Sequence, residues 1–235
     1  MNVESVGRAT LMAFLAAPLF SCSSGEPETA FAGTATRRSS VAAAASQISG
    51  PAATGEALRL VLAPTGNAAR YRVREQLVGH DLQNDAVGET KSLTGALSID
   101  SAGKVIPGTS KFTLDAATFV SDRDRRDGFV RGRLLEADSY PTITLAPKQI
   151  KGVGLPLPKA GSAPIEMIAD LTVRGVTRST TWKGTAQFGG DGVAGSASTA
   201  FTFDDMQLEQ PRVPVLLSVA DTIKLEIDFN LVRQH

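Results

Sequence analysis

Two stretches of this 235-residue chain concentrate groups able to bind or react. Residues 121–133, SDRDRRDGFVRGR, hold five arginines and three aspartates, the material of a phosphate or nucleic-acid site. Residues 80–89 supply His80, Asp81, Asp85 and Glu89, a mixed nitrogen and oxygen donor set of the kind that holds a metal. Neither stretch develops far. Glu136 and Asp138 follow the arginines at once, and Phe129 is the one aromatic side chain among them, too few to stack successive bases, so the run reads as a neutralised, salt-laced surface. Over the whole chain 24 basic residues meet 24 acidic ones, which leaves no excess of charge to draw a polyanion. The His80 group matches no standard metal spacing. With His80 and His235 as the only histidines, and no nucleophile-elbow sequence, a Ser-His-Asp arrangement has nothing to be built from. No catalytic residue, metal ligand, required cofactor or nucleic-acid partner is therefore expected.

The third reactive group is the single cysteine, Cys22. It follows an apolar run, Leu11 to Phe20, that is shorter than the roughly 20 residues a membrane span needs. A charged start, a short apolar middle and small residues at its end describe an export signal over residues 1–21. A lone cysteine in an exported protein has no disulfide partner. The order Leu19-Phe20-Ser21-Cys22 resembles a bacterial lipobox, in which the cysteine is acylated and anchors the chain to the cell envelope. An ordinary cleaved signal with an incidental cysteine is the alternative. Residues 22–56, rich in Ala, Ser, Thr, Gly and Pro, have no sustained periodicity and read as a tether.

The elements that must position everything else lie in residues 57–235, where the periodicity is two. Ile165, Met167, Ala169, Leu171 and Val173 alternate with polar or outward residues, as do Ile223, Leu225, Ile227 and Phe229. Tyr71, Val73 and Leu77 alternate with Arg70, Arg72, Arg74 and Gln76, and Trp182, Gly184, Ala186 and Phe188 share one face. Each strand thus has one buried and one wet face. Short turn signals (PTGN, SAGK, GGDG, Arg174-Gly175) join the strands as hairpins. About eight such strands close most naturally into an antiparallel, up-and-down, lipocalin-like β-barrel, with a two-sheet sandwich as the other architecture. One short helix fits within residues 118–135, with Asp122 or Asp124 as its N-cap. The expected lining is Phe112, Leu114, Phe119, Trp182, Phe188, Phe201 and Phe203, and it either packs solid or encloses one apolar ligand.

Two blocks carry a family resemblance. KFTLDAATFVSDRDRRDGFVRGRLLEADSYPTITL, Lys111 to Leu145, resembles the central signature of the YceI-like domain, with Arg126-Asp127 and Tyr140-Pro141 at its marked steps. ADLTVRGVTRSTTW, Ala169 to Trp182, is similar to the family's Leu-Thr-x-x-Gly-Val-Thr hairpin, and VPVLLSVADTIKLEIDF fits its terminal strands. The resemblance implies a barrel around a long apolar pocket holding a polyisoprenoid, such as a quinone or polyprenyl chain, in an exported protein. Phe129, Leu134 and Tyr140 complete the expected lining, and a reading of the arginine run between surface and site sets Arg125, Arg126 or Arg131 at the mouth, facing a lipid's polar head or a phosphate on it. The chain departs from many members in its first strands, where RYRVREQLVGHDLQNDAVGETKSLTG replaces a His-containing segment. The competing reading is a structural or adaptor envelope lipoprotein whose barrel is filled by its own side chains.

Overall fold

The period-two pattern becomes eleven antiparallel strands in a computed structural model that describes residues 56–234. The expected signal, lipidated Cys22 and tether lie outside the described residues. The strands are β1 (Glu56–Leu62), β2 (Ala68–Leu77), β3 (Asn84–Thr90), β4 (Leu93–Asp100), β5 (Lys111–Asp115) and β6 (Val120–Ser121). Helix α1 (Asp124–Phe129) follows, and then β7 (Thr142–Lys151), β8 (Ala160–Val173), β9 (Val176–Gly189), β10 (Gly192–Thr202) and β11 (Leu216–Arg233). Eight of them close a ring in the order β1-β4-β5-β7-β8-β9-β10-β11, and β11 returns to β1 through Leu60–Leu62 opposite Leu231–Arg233. The barrel expected from the sequence is therefore present.

The connectivity has one feature the periodicity does not reveal. β1 and β2 pair with the same edge of β11 at different heights, β1 near Arg233 and β2 from Asp228 to Leu216. β3 and β6 extend the sheet outward from β2. Beyond Thr222 the long β11 outruns β10 and continues beside β2 as an arm, kinked by a bulge between Val219 and Ile223. The end formed by this arm and α1 is the mouth; Glu56 and the β4–β5 turn mark the far pole.

Local chemistry explains the long hairpin and the arm. Arg174 and Gly175, which join β8 to β9, both have positive φ, 48° and 75°, giving the hairpin turn whose twist matches that of its strands. Where β2 leaves the ring beside β11, Arg70 reaches Glu89 and Asp228, each at 2.6 Å, and Arg72 reaches Asp85 at 3.2 Å and Glu226 at 3.4 Å. These cross-strand pairs fix which face of RYRVREQL turns outward, and their half-exposed setting limits each to about 0–1 kcal/mol.

The helix forms where expected, but its cap differs. Arg123 holds the N-cap position without a side-chain cap bond. Asp124 is already helical, and Asp122 is turned to Arg126. The carboxylate that organises this corner is instead Asp127, which is buried and accepts from the Ser121 backbone N–H at 2.8 Å and from its hydroxyl at 2.6 Å. After Phe129 the chain widens into a π-type turn, Val130–Leu134.

Candidate functional site

An apolar cavity of about 680 Å³ occupies the mouth half of the barrel. Its walls come from the inward positions of the strands: Tyr71, Val73 and Leu77 of β2, Leu171 and Val173 of β8, and Ile223, Leu225 and Ile227 of β11. The volume falls within the roughly 300–1,000 Å³ of small-molecule sites. A second space of about 90 Å³ lies toward the far pole among Leu60, Leu97, Ile99, Val193 and Leu231. Leu114, Leu145 and Ile227 line both, so the two chambers share a wall along the barrel axis.

Trp182 shows how a polar residue serves an apolar wall. Its indole N–H donates to Thr180 Oγ1 at 2.9 Å, and that hydroxyl donates to the Ala169 carbonyl at 3.1 Å. With its hydrogen bond satisfied among its neighbours, the ring is 2 % exposed and presents hydrocarbon to the cavity. Tyr71 is placed differently. Its ring lies over Gly88, directly opposite on β3, where an added Cβ would come within 2.2 Å of the ring. Only glycine leaves room for this arrangement. The ring also meets Phe119 at 5.8 Å between centroids. Burial pushes the Tyr71 phenol up to about 12, partly offset by the nearby Arg126, so it stays a neutral donor.

Arg70 and Glu226 touch the cavity from the β2–β11 side, and a larger cluster of charge gathers at one corner. Glu75 occupies an inward position of β2, between Val73 and Leu77, and is 5 % exposed. Arg126 of α1 reaches it at 2.5 Å and also binds Asp122, while Asn84 Nδ2 donates to the same Glu75 oxygen at 3.3 Å. All of Glu75, Arg123, Asp124, Arg125 and Arg126 border the cavity. Among the described residues Arg125, which is exposed, makes no ion pair, whereas Arg126 is held between two carboxylates.

Of the aromatic and aliphatic residues expected as lining, Leu114, Phe119, Phe129, Leu134, Trp182, Phe201 and Phe203 border the main cavity. Three lie elsewhere. Phe112 borders the smaller chamber, because β5 is short and its second residue already sits below the shared wall. Phe188 packs at the far pole with Leu60, Ile99 and Val193, at the lower end of the fourteen-residue β9. Tyr140 is 40 % exposed and lies outside, against the β8–β9 turn at Gly175, since it precedes the point where β7 joins the sheet. Arg131 does not border the cavity; its Nε donates to the Asp127 carbonyl at 3.2 Å and it braces the helix against Ala117. Glu75 and Tyr71 are the site residues that sequence reasoning passed over. The signal for Glu75 was a charge at an inward position of an otherwise clean alternation.

A family model, the YceI-like domain, matches residues 61–231. The chain belongs to the YceI-like domain family. Solved structures agree on the fold. A polyisoprenoid binding domain from Saccharophagus degradans, implicated in plant cell wall breakdown, superimposes with a TM-score of 0.60 at 15% identity, covering 75% of this chain and 99% of that one. A YceI protein from Campylobacter jejuni gives a TM-score of 0.51 at 16% identity, covering 67% and 90%. No curated protein matches the sequence. Within this YceI-like domain, the Arg-Asp step of the signature has a structural reason: Arg126 neutralises Glu75, and Asp127 secures the corner at Ser121.

Proposed function

We propose that the protein is an exported, membrane-tethered binding protein that carries a polyisoprenoid lipid, a quinone or polyprenyl chain, in the barrel. The cavity of about 680 Å³, with its predominantly hydrocarbon walls, is the observation that carries this reading. The family supports lipid binding, and the Saccharophagus degradans relative is itself described as a polyisoprenoid binding domain. The mechanism is non-covalent. Removing apolar chain from water at roughly 25 cal/mol per Å² supplies affinity. The two chambers along one axis suit a long, thin tail, and the charged corner gives the head a polar end to meet. Arg125 at the rim and the Tyr71 hydroxyl, which donates to no protein group among the described residues, are the available contacts for a head-group oxygen. Export and anchoring through Cys22 rest on the sequence.

The sole tryptophan, Trp182, is a reporter built into the cavity wall. Titration with a short-chain quinone such as decylubiquinone should quench its emission saturably, and mass spectrometry of an organic extract from protein purified out of native membranes should find an isoprenoid. A consistently empty barrel whose Trp182 ignores added quinone would defeat the proposal. The adaptor reading expects a side-chain-filled interior, and the cavity supports the binding reading over it.

A further inference from the structure

We infer that the mouth is a docking surface for a neutral lipid bilayer, through which the ligand passes between membrane and cavity without crossing water. The inference rests on the ligand being apolar, as proposed above. Among the described residues seven large apolar side chains are exposed, and four of them cluster at the mouth: Val78 at 57%, Leu82 at 82%, Val215 at 56% and Leu217 at 64%. They sit on two adjoining segments. The Val78 N–H donates to the Val215 carbonyl at 3.0 Å, and Leu77 pairs with Leu216. Leu82 lies in the turn that follows Val78 and leads into β3.

The same segments line the cavity. Leu77, Val213, Val215 and Leu216 all border it, so the apolar wall continues outward over the rim into solvent. A cluster of exposed apolar side chains of this kind marks an interaction site. The occupant follows from what the opening must exchange. A polyprenyl-like chain has no appreciable solubility in water, and a bilayer is both its solvent and an apolar phase able to cover the rim. The charges select the kind of bilayer. Residues 78–83, 121–127 and 209–217 together carry four arginines against five carboxylates, so the rim has no basic surplus to attract anionic headgroups. Docking should therefore be driven by apolar insertion, occur on zwitterionic lipid, and change little with salt. Four side chains give a weak, reversible attachment, which suits collection and delivery.

The test uses the chain from residue 23 onward, which keeps every described element of the barrel and contains no cysteine. Leu82→Cys at the rim and Ser101→Cys in the far-pole turn each receive an environment-sensitive fluorophore and are mixed with phosphatidylcholine vesicles. Position 82 should shift to the blue and be quenched by spin-labelled lipid, with position 101 unchanged. In the unlabelled chain, Val78→Ser with Leu217→Ser should lower vesicle partition by about tenfold. Quinone affinity in vesicle-free buffer, read at Trp182, should move by less than a factor of about two, since neither side chain borders the cavity. Equal responses at positions 82 and 101, or partition unaltered by the two serines, would overturn the docking surface. Rim insertion without any quinone quenching would uphold docking and bring down the ligand reading instead.

Discussion

The charged corner offers a quantitative test. Glu75 and Arg126 are 7% and 12% exposed at their side chains, and Glu75 depends on Arg126 for charge compensation whereas Arg126 also has Asp122. Arg126→Ala leaves the Glu75 carboxylate buried with only the Asn84 amide beside it. Removing one partner of a buried pair costs about 3–5 kcal/mol. For a domain of this size each kcal/mol moves Tm by roughly 2–4 °C, so Tm should fall by about 6–20 °C. Asp122→Ala removes a carboxylate that is 66% exposed and should cost about 0–1 kcal/mol. Replacing both buried partners, Glu75→Leu with Arg126→Met, removes the charges together and should recover most of the loss. Guanidinium unfolding followed by Trp182 emission measures all four proteins on one probe. If Arg126→Ala costs less than about 1 kcal/mol, or the double variant is no more stable than the single, the pair is not desolvated as described.

Three further outcomes follow from the same geometry. Gly88→Ala forces the Tyr71 ring off its seat and into the cavity, so it should cost about 1–3 kcal/mol in unfolding measurements and weaken quinone binding in the Trp182 titration. Val73→Phe adds bulk to the cavity wall and should lower quinone affinity several-fold while leaving Tm within a few degrees, because space of about 680 Å³ receives the ring. The Arg74 hydrogen bond, with help from Arg72, holds the Asp85 carboxyl below its ordinary value, and Lys224 and then Arg72 do the same for Glu226. Folded values below unfolded ones mean that this stability is complete above about pH 4.5 and is lost as pH falls through the folded values. Tm measured from pH 7 to pH 3 should therefore drop at the acid end, and drop less in Asp85→Asn with Glu226→Gln.

The barrel was legible because each strand buries one face, so Met167, Ala169, Leu171 and Val173 announced the inside without any knowledge of partners. Which strands meet was not, since alternation carries no record of register; nothing in β1 or β2 says that both lie along one edge of β11. The same limit explains the lining. Phe112 and Phe188 do face inward, but their height along the barrel depends on strand length and tilt, and that put them beyond the main cavity. The arginine run could be recognised as part of the fold, yet the division of labour within it could not. Arg126 finds Glu75 fifty-one positions earlier, a contact visible only once α1 folds over β2.

The position of Glu56 decides which pole of the barrel a restraint on the preceding chain would act upon. The first strand enters the ring at the pole away from the arm, so any restraint transmitted through the chain before it pulls on the closed base and leaves the opening pointed elsewhere. A barrel held this way is polar along its axis, leashed at one end and receptive at the other. Moving the leash to the carboxyl terminus would not reverse that polarity, because β11 also finishes at the base, with Arg233 beside Leu60. The first and last strands of the described barrel begin and end at one pole, and the opposite one is left clear to meet a second surface.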